Sequence, residues 1–226
     1  METPHSVKSE LHLTILPADT RKALAYVKDA RWMKRAHWYL AGGTALALQV
    51  GHRQSVDLDF FTPEDSFSAA RLLARFPETV WETDVLKEGT VYGKLLGAKV
   101  SFIAYPFFRP REPMVQYGAV QVLKAADIAV MKIIAISQRG RKRDFLDLYW
   151  YCRNRESLED IVRRLPDQYP TVAHNYHHII KSLTYFADAE NDVMPRLFFS
   201  VTWKQIKVFF QREVPGVART LLGLPR

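Results

Sequence analysis

A glycine pair between two short apolar runs limits what this chain can fold into more than any other feature of its sequence. The first run, residues 38–41, is aromatic and apolar, which predicts a short buried strand. Gly42 and Gly43 interrupt that strand, and Thr44 is predicted to cap a short helix. Gly51 is expected to close the helix, as glycine commonly does just past a helical end. The pattern therefore predicts a strand, a tight glycine turn and a helix.

The second apolar run, residues 56–61, contains two aspartates separated by one residue. Alternate side chains of a strand share a face, so Asp57 and Asp59 are predicted to point the same way. The apolar residues of the run would fill the core from the other face: Val56, Leu58 and Phe60. Two adjacent carboxylates repel each other unless a cation lies between them, and hard oxygen ligands of this kind suit Mg²⁺. A metal site beside a glycine turn that could approach a phosphate is therefore predicted.

Together these features resemble a known superfamily. A strand, Gly-Gly-Thr, a helix and a strand with Asp-x-Asp follow one another as in the nucleotidyltransferases of the DNA polymerase β superfamily. The fuller string GGTALALQVGHRQSVDLDFF is similar to one branch of it, the AbiEii/AbiGii-type nucleotidyltransferases of the abortive-infection toxin family. The residues that carry the resemblance by type and spacing are Gly42, Gly43, Thr44, Gly51, Arg53, Ser55, Asp57 and Asp59.

The resemblance implies an α+β fold. A polymerase-β-like core, a mixed β-sheet flanked by helices, would be followed by a mostly α-helical C-terminal half. It also implies a metal-dependent nucleotidyltransferase that moves NMP from an NTP to an acceptor hydroxyl, with Mg²⁺ (or Mn²⁺) held by Asp57 and Asp59. Such a protein would be the toxin of a toxin–antitoxin or phage-defence system, opposed by a separately encoded antitoxin or repressor. Relatives modify nucleic acid, including tRNA 3′ ends, so an RNA acceptor, tRNA in particular, is expected.

Two other functions stay open on the sequence. The acceptor is alternatively a small molecule or a protein side chain. Many polymerase-β-like enzymes complete a two-metal clamp with a third carboxylate on a following strand. The corresponding strand here, residues 99–103, has Ser101 at that position and no carboxylate. A non-catalytic relative that only binds nucleotide or RNA is therefore the second alternative.

The nucleotide-binding residues that the resemblance implies are Gly42, Gly43, Thr44, Arg53, Ser55 and Lys132. Arg53 lies just before the aspartate pair and is expected to reach a phosphate. Ser55 lies two residues before Asp57, on the same predicted strand face, where its hydroxyl would meet a phosphate or the metal's ligands. Either side chain alternatively only satisfies its own loop.

Lys132 lies in a strongly helical segment, and its neighbours three and four positions away are all apolar. Such a lysine either extends its ammonium group to solvent or meets a buried anion. Members of the family are similar here too, with a lysine in an apolar helix, a basic turn at Arg139 and then Arg-Asp-x-x-Asp, residues 143–147. By that resemblance Lys132 binds nucleotide phosphates, and Asp144 orients or deprotonates the acceptor.

The two aspartates of this motif lie three residues apart on one helical face. Asp144 is alternatively an ion-pair partner of Arg141 or Arg143, or a charge favoured at a helix N-terminus. Asp147 is interpreted as structural. The basic run around this position either grips the phosphates of an RNA acceptor or is a solvated loop: Arg139, Arg141, Lys142 and Arg143.

A soft boundary is predicted near residue 115. Residues 1–115 would form the nucleotidyltransferase core with an N-terminal helix, and residues 116–226 a helical domain that contributes Lys132 and Asp144 to the site. In the first part we expect an extended arm over 1–16, a helix over 18–35 capped by Asp19 or Thr20, a strand over 80–86 and a hairpin turning at Gly97-Ala98. In the second part we expect helices over 122–138, 142–153, 156–165, 172–187 and 202–213.

Composition narrows the class of partner and the compartment. The net charge of +8, from 32 basic and 24 acidic residues, favours a polyanion such as RNA, DNA or nucleotide, although solubility explains it equally well. No apolar run approaches the ~18 residues of a membrane span, and the N-terminus lacks a signal pattern. The single cysteine, Cys152, fits a reducing compartment. We therefore expect a cytoplasmic protein without a membrane partner.

Overall fold

The computed structural model describes residues 11–222, so the first part of the predicted arm lies outside the described residues. Its strands are β1 Tyr39–Ala41, β2 Leu58–Thr62, β3 Trp81–Lys87, β4 Thr90–Leu95, β5 Ala98–Ala104, β6 Val115–Tyr117 and β7 Val120–Val122. Its helices are a 3-10 turn Leu13–Ile15, then α1 Ala18–Lys28, α2 Arg31–Arg35, α3 Gly42–Val50, α4 Ala69–Leu73, α5 Ala125–Arg139, α6 Lys142–Asn154, α7 Leu158–Arg163, α8 Leu165–Gln168, α9 Tyr176–Ser182, α10 Ala187–Glu190 and α11 Trp203–Leu221. Within the same residues, no helix is both long enough and apolar enough to cross a membrane.

One mixed sheet forms the centre of the molecule, with seven strands in the order β3-β4-β5-β2-β1-β7-β6. β2 is antiparallel to β1 but parallel to β5, and β1 is parallel to β7. After β7 the described chain continues as helices that pack on the sheet and on each other. The predicted α+β fold, a mixed sheet with flanking helices followed by a mostly helical half, is confirmed.

Aromatic packing holds β2 and β5 together behind the site. Phe102 of β5 stacks on Phe60 of β2 with ring centroids 5.3 Å apart. Trp38 packs edge to face on Phe102, with ring centroids 5.1 Å apart. All three side chains are buried. Side chains alternate across a strand, so burying Phe60 and Phe102 on one face directs their neighbours Asp59 and Ser101 to the other.

The hairpin over β4 and β5 forms as predicted, but its turn is Leu96-Gly97, one residue earlier than expected. Two short strands were missed. β6 and β7 pair with each other, and β7 also pairs with β1 through Leu40 and Val122. The predicted helix over 122–138 therefore begins only at Ala125. A strand of three residues is too short to show an alternating apolar pattern in the sequence. What makes these residues strands is their pairing with each other and with β1 in the folded protein. The boundary near residue 115 stays a prediction, although strands on both sides of it share this sheet.

The predicted helix over 18–35 is divided at Asp29 into α1 and α2. Thr20 does not cap it, because Pro17 is the N-cap and the Thr20 hydroxyl donates to the carbonyl of Val56 at 2.9 Å. The predicted helix over 172–187 shortens to α9 with the brief α10 after it. The last helix is longer than predicted, because α11 continues through Pro215 to Leu221.

Candidate active site

A cavity of about 540 Å³ opens between the sheet and helices α5 and α6. Both carboxylates of the Asp-x-Asp pair line it, together with Gly42. Its cationic lining residues are Lys99, Lys132, Arg139 and Arg143. Its larger apolar and aromatic lining residues are Phe61, Tyr92, Ile103, Tyr105, Ile128, Met131 and Ile134. The cavity therefore brings a carboxylate pair, several cations and an apolar wall into one space.

Each carboxylate of the pair has one firm partner. Oδ1 of Asp59 accepts a hydrogen bond of 2.6 Å from the Ser101 hydroxyl. Oδ2 of Asp57 accepts one of 3.0 Å from Nη1 of Arg143. Burial raises the pKa of Asp59 above its usual range, and the charge of Asp57 adds to the rise, while the Ser101 hydrogen bond opposes it. The negative charge on Asp59 is thus only partly compensated by the protein.

The strand that holds the pair is shorter than predicted. β2 begins at Leu58, so Asp57 belongs to the preceding loop rather than to the strand. Val56, predicted to enter the core, is 49% exposed. The reason is the short partner strand: β1 reaches only to Ala41, opposite Asp59, and then turns into α3. On the β1 side, residues before Leu58 therefore have no strand to pair with.

The two glycines make room for two charged groups. Gly42 has a φ of +68°, a conformation that favours glycine, and a Cβ there would lie 2.9 Å from Oδ2 of Asp59. At Gly43 a Cβ would lie 2.1 Å from Nη2 of Arg53 and 3.2 Å from Oδ2 of Asp147. Gly42 therefore admits a carboxylate at the cavity, whereas Gly43 admits a guanidinium behind it.

Thr44 and Ser55 support the loop that presents Asp57. Both are buried, and the Thr44 hydroxyl lies 2.8 Å from the Ser55 hydroxyl and also donates to the carbonyl of Asp57. The prediction that Thr44 caps the helix is wrong, because α3 already begins at Gly42, with Ala41 as the N-cap. Within the described residues, neither hydroxyl is among the groups that line the cavity.

Lys132 does not extend to solvent but meets two carboxylates of its own chain. Its Nζ lies 2.7 Å from Oδ1 of Asp144 and 2.7 Å from Oδ2 of Asp147, and only 4% of its side chain is exposed. Arg139 also donates to Asp144, at 3.0 Å from Nε. Although burial acts in the opposite direction, Lys132 and Arg139 lower the pKa of Asp144. Asp144 thus pairs with Lys132 and Arg139, not with the arginines that sequence reasoning considered.

Arg53 completes this buried ion cluster, which we define as Arg53, Lys132, Asp144 and Asp147. Its guanidinium donates two bonds to Asp147, 2.6 Å from Nε and 2.9 Å from Nη2. Nε2 of His52 lies 2.8 Å from the same carboxylate. Although burial opposes them, Arg53 and Lys132 hold the pKa of Asp147 well below its usual range. The structure places Arg53 behind Gly42 and Gly43, where it links the loop that follows α3 to Asp147 of α6.

The basic residues of the run 139–143 bind different partners within the protein. Lys142 is buried and donates to the carbonyls of Glu190 and Asp192, while Arg141 pairs with the Asp192 side chain at 2.6 Å. Only Arg139 and Arg143 of this run line the cavity. From the sequence, Arg143 was considered as a partner of Asp144 or of RNA phosphates. The structure pairs it instead with Asp57, 86 positions away in the chain, a contact that no local pattern could indicate.

The comparison with known families is decisive. The sequence model described as nucleotidyl transferase AbiEii toxin, type IV TA system, matches residues 33–90 and 104–218. This chain belongs to the AbiEii nucleotidyltransferase toxin family. The match covers the glycine turn, the Asp-x-Asp pair, Lys132 and Asp144, so every residue expected at the site lies inside the family region.

Individual proteins are similar to this chain in sequence or in fold. The protein aq_aa25 of Aquifex aeolicus is 36% identical over 184 residues, which is 78% of this chain and 86% of that protein. Among solved structures, JHP933 of Helicobacter pylori aligns over 92% of this chain and 95% of its own, with a TM-score of 0.52 at 16% identity. A candidate nucleotidyltransferase from H. pylori aligns over 91% and 98%, with a TM-score of 0.50 at 16% identity. At such identity the structural likeness shows the fold.

The AbiEii-family site has the chemistry of a divalent-cation site. Its donors are the hard oxygens of Asp57 and Asp59, with the Ser101 hydroxyl beside them. The raised pKa of Asp59 and the absence of a side chain at Gly42, next to Oδ2, leave charge and space for a cation. Within residues 11–222 no group of three or more His, Cys, Asp or Glu side chains could hold a metal ion. The residues present therefore fit an ion bound by two carboxylates.

Proposed function

We propose that this AbiEii-family toxin transfers NMP from an NTP to a hydroxyl of an RNA acceptor, tRNA in particular, in a metal-dependent reaction. The observation that carries the proposal is the single cavity shared by Asp57, Asp59 and the cations Arg139 and Arg143. Its volume of about 540 Å³ lies in the usual range for small-molecule sites. A separately encoded antitoxin is expected, because the family description names a toxin–antitoxin system.

Asp57 and Asp59 would hold the divalent ion, Mg²⁺ or Mn²⁺. When bound, such an ion supplies Lewis-acid stabilisation of the charge on the reacting phosphate. Arg143 now neutralises Asp57, and about half of its side chain is exposed, at 47%. A long, exposed arginine is able to turn from Asp57 to the phosphates of a nucleotide, which it would bind with two parallel hydrogen bonds.

The NTP would lie along the rest of the cavity. Gly42 permits close approach of a phosphate to the backbone, and Lys132 and Arg139 add positive charge on the helix side. The base would pack on the apolar wall that includes Phe61 and Met131. Of the predicted nucleotide-binding residues, Gly43, Thr44, Arg53 and Ser55 would act indirectly, by holding Gly42 and Asp57 in place.

In the reaction the acceptor hydroxyl oxygen attacks the α-phosphorus, a new P–O bond forms, the bond to pyrophosphate breaks, and the hydroxyl proton is released to solvent. Positioning and charge neutralisation supply most of the catalysis in reactions of this kind. Asp144 is fully buried, bonded to two cations and has a lowered pKa, so it is a weak base. We therefore assign Asp144 the role of positioning Lys132 and Arg139 rather than deprotonating the acceptor.

The test is a transfer assay with purified protein, Mg²⁺, each α-labelled NTP in turn and total bacterial RNA. The matched control is Asp57→Asn/Asp59→Asn, which keeps the size and most hydrogen bonds of the pair but removes its charge. We expect label in RNA with the intact protein and none with the control. The labelled RNA then names the acceptor class, and the NTP that supports labelling names the donor.

Two other outcomes contradict parts of the proposal. Label found on protein or in a small molecule would replace the RNA acceptor by one of those classes. Nucleotide binding without any labelled product would indicate a non-catalytic relative, and the hydroxyl of Ser101 in place of a third carboxylate is the observation that favours this reading.

A further inference from the structure

A second cavity, of about 290 Å³, lies between the C-terminal half of α6 and α11. Its floor is apolar: the rings of Tyr149 and Phe209 meet edge to face at 89°, with centroids 5.2 Å apart. Val208 lies in the same lining with 51% of its surface exposed. Tyr149 is half-buried, so part of its ring is open to a ligand. We call this cavity the α6–α11 groove.

Three cations surround the groove. Lys204 and Arg212 are four residues to either side of Val208 on α11, so all three lie on one helical face, and Arg153 lines the groove from α6. Neither Arg153 nor Lys204 has a carboxylate partner in the part of the chain that the structure describes. Arg212 pairs with its neighbour Glu213 at 2.8 Å, an exposed contact that competes weakly with another anion. The groove therefore carries uncompensated positive charge.

Exposed cations around an aromatic floor match one class of ligand well. Single-stranded nucleic acid binds proteins through basic side chains on its phosphates and through stacking of its bases on aromatic rings. An acidic protein segment would satisfy the cations, but its carboxylates would gain nothing from the aromatic floor that includes the half-buried Tyr149. The α6–α11 groove shares no lining residue with the candidate active site within the described residues.

The two sites are joined by one helix. Arg143, in the first turn of α6, lines the active-site cavity, and Arg153, in its last turn, lines the groove. Ten residues of helix separate them by about 15 Å. We propose that the α6–α11 groove binds a single-stranded segment of the acceptor RNA and so anchors the RNA while its reacting end lies in the active site. This inference rests on the RNA acceptor of the proposed function.

The test is binding of a fluorescently labelled single-stranded oligouridylate to the full-length protein, followed by anisotropy over a range of salt concentrations and without NTP. The groove variant is Arg153→Gln/Lys204→Gln/Arg212→Gln. The matched control is Arg31→Gln/Lys34→Gln/Arg35→Gln, which removes three exposed cations of α2 that line neither cavity. We expect the groove variant to bind about tenfold more weakly at low salt, with a salt dependence reduced by about two ions. The control should keep the wild-type salt dependence.

A single substitution sharpens the test. Val208→Glu places a negative charge between Lys204 and Arg212 at an exposed position, so folding should be unaffected while RNA binding weakens. Equal losses in the groove variant and the α2 control would overturn the proposal. Displacement of the RNA by polyglutamate as readily as by unlabelled polyuridylate would also overturn it, and would assign the groove to an acidic protein. Because no NTP is present, loss of RNA binding in the groove variant supports the groove even where the transfer assay gives no product.

Discussion

At the scale of single residues, Gly43 is a glycine because a charged side chain fills the space beside its backbone, and not because the chain turns there. Arg53 brings its guanidinium against the Gly43 backbone in order to reach Asp147 with two hydrogen bonds. The glycine turn looked from the sequence like a phosphate cradle, and only Gly42 lines the cavity. The second glycine instead lets the buried ion cluster close behind the first.

Gly43→Ala is therefore expected to destabilise the protein. Its Cβ would lie 2.1 Å from Nη2 of Arg53, which cannot move without weakening its pair with Asp147. We expect the free energy of unfolding, measured by urea titration, to fall by about 1–3 kcal/mol. The matched control is Gly216→Ala in α11, where a Cβ meets no atom within 4 Å, and where alanine should stabilise by about 0.5–1 kcal/mol. An unchanged Gly43→Ala protein would contradict this account of the glycine.

Asp147→Asn tests the buried ion cluster. Removing this charge leaves Arg53 and Lys132 buried with too few anions, which costs about 3–5 kcal/mol in comparable cases. Glu82→Gln, which breaks an exposed pair with Lys94, should change the stability little. Urea unfolding of both variants at neutral pH measures the difference.

The same carboxylate gives a pH dependence of known sign. The folded-state pKa of Asp147 lies below its unfolded value, so its stabilisation is present above about pH 4 and is lost as the pH falls through the folded-state pKa. We expect the wild type to lose stability more steeply than Asp147→Asn as the pH falls below about 4. Parallel acid profiles for the two proteins would mean that Asp147 is not held ionised by the cluster.

At the scale of secondary-structure elements, the register of β2 and β5 decides the chemistry at the carboxylate pair. These strands are parallel and place Ser101 directly beside Asp59. The Ser101 hydroxyl thus occupies the place where a third carboxylate was expected, and its hydrogen bond of 2.6 Å lowers the pKa of Asp59 against the effect of burial. A neutral donor here keeps Asp59 available as an anion without adding a third negative charge.

Ser101→Ala should consequently shift the pH profile of nucleotidyl transfer. Without the hydrogen bond the pKa of Asp59 in the free protein rises further, so the acid limb of the kcat/KM profile moves to higher pH. Ser101→Thr, which retains the hydroxyl, should keep the wild-type profile. An identical acid limb in all three proteins would show that Asp59 ionisation does not limit the reaction.

At the scale of the whole molecule, the two halves of the chain complete each other. β7 extends the sheet beside β1, and the buried ion cluster joins Arg53 of the first half to Asp147 of the second. Lys132 enters the site from α5, far along the chain from the carboxylate pair. A fold of this kind assembles its site only when both halves are present.

A fragment ending at residue 115 is therefore expected to remain unfolded, because it lacks β7 and would bury Arg53 without its anion. The measurement is amide dispersion in a two-dimensional NMR spectrum of residues 1–115, alone and co-expressed with residues 116–226. Co-expression should restore dispersion. A dispersed spectrum of the isolated fragment would instead indicate that it is an independent domain.

Local patterns in the sequence were sufficient for much of this protein. The order of β1, α3 and β2, the β4–β5 hairpin and the helices that carry Lys132 and Asp144 all follow from residue type and short spacing. These features depend on contacts within a few residues, which periodicity and turn chemistry record. The resemblance to the AbiEii family rests on the same local strings, so it too was visible before the structure.

Only the tertiary structure decided which charges meet. Arg143 binds Asp57, Arg53 binds Asp147, and Lys132 lies between two aspartates of α6 rather than in solvent. The Arg143–Asp57 and Arg53–Asp147 pairs each join positions more than eighty residues apart. The pairs of Lys132 with Asp144 and Asp147 are instead close in sequence. The energy of a buried ion pair depends on burial and on the distance between its atoms, and neither is recorded in the order of residues along the chain.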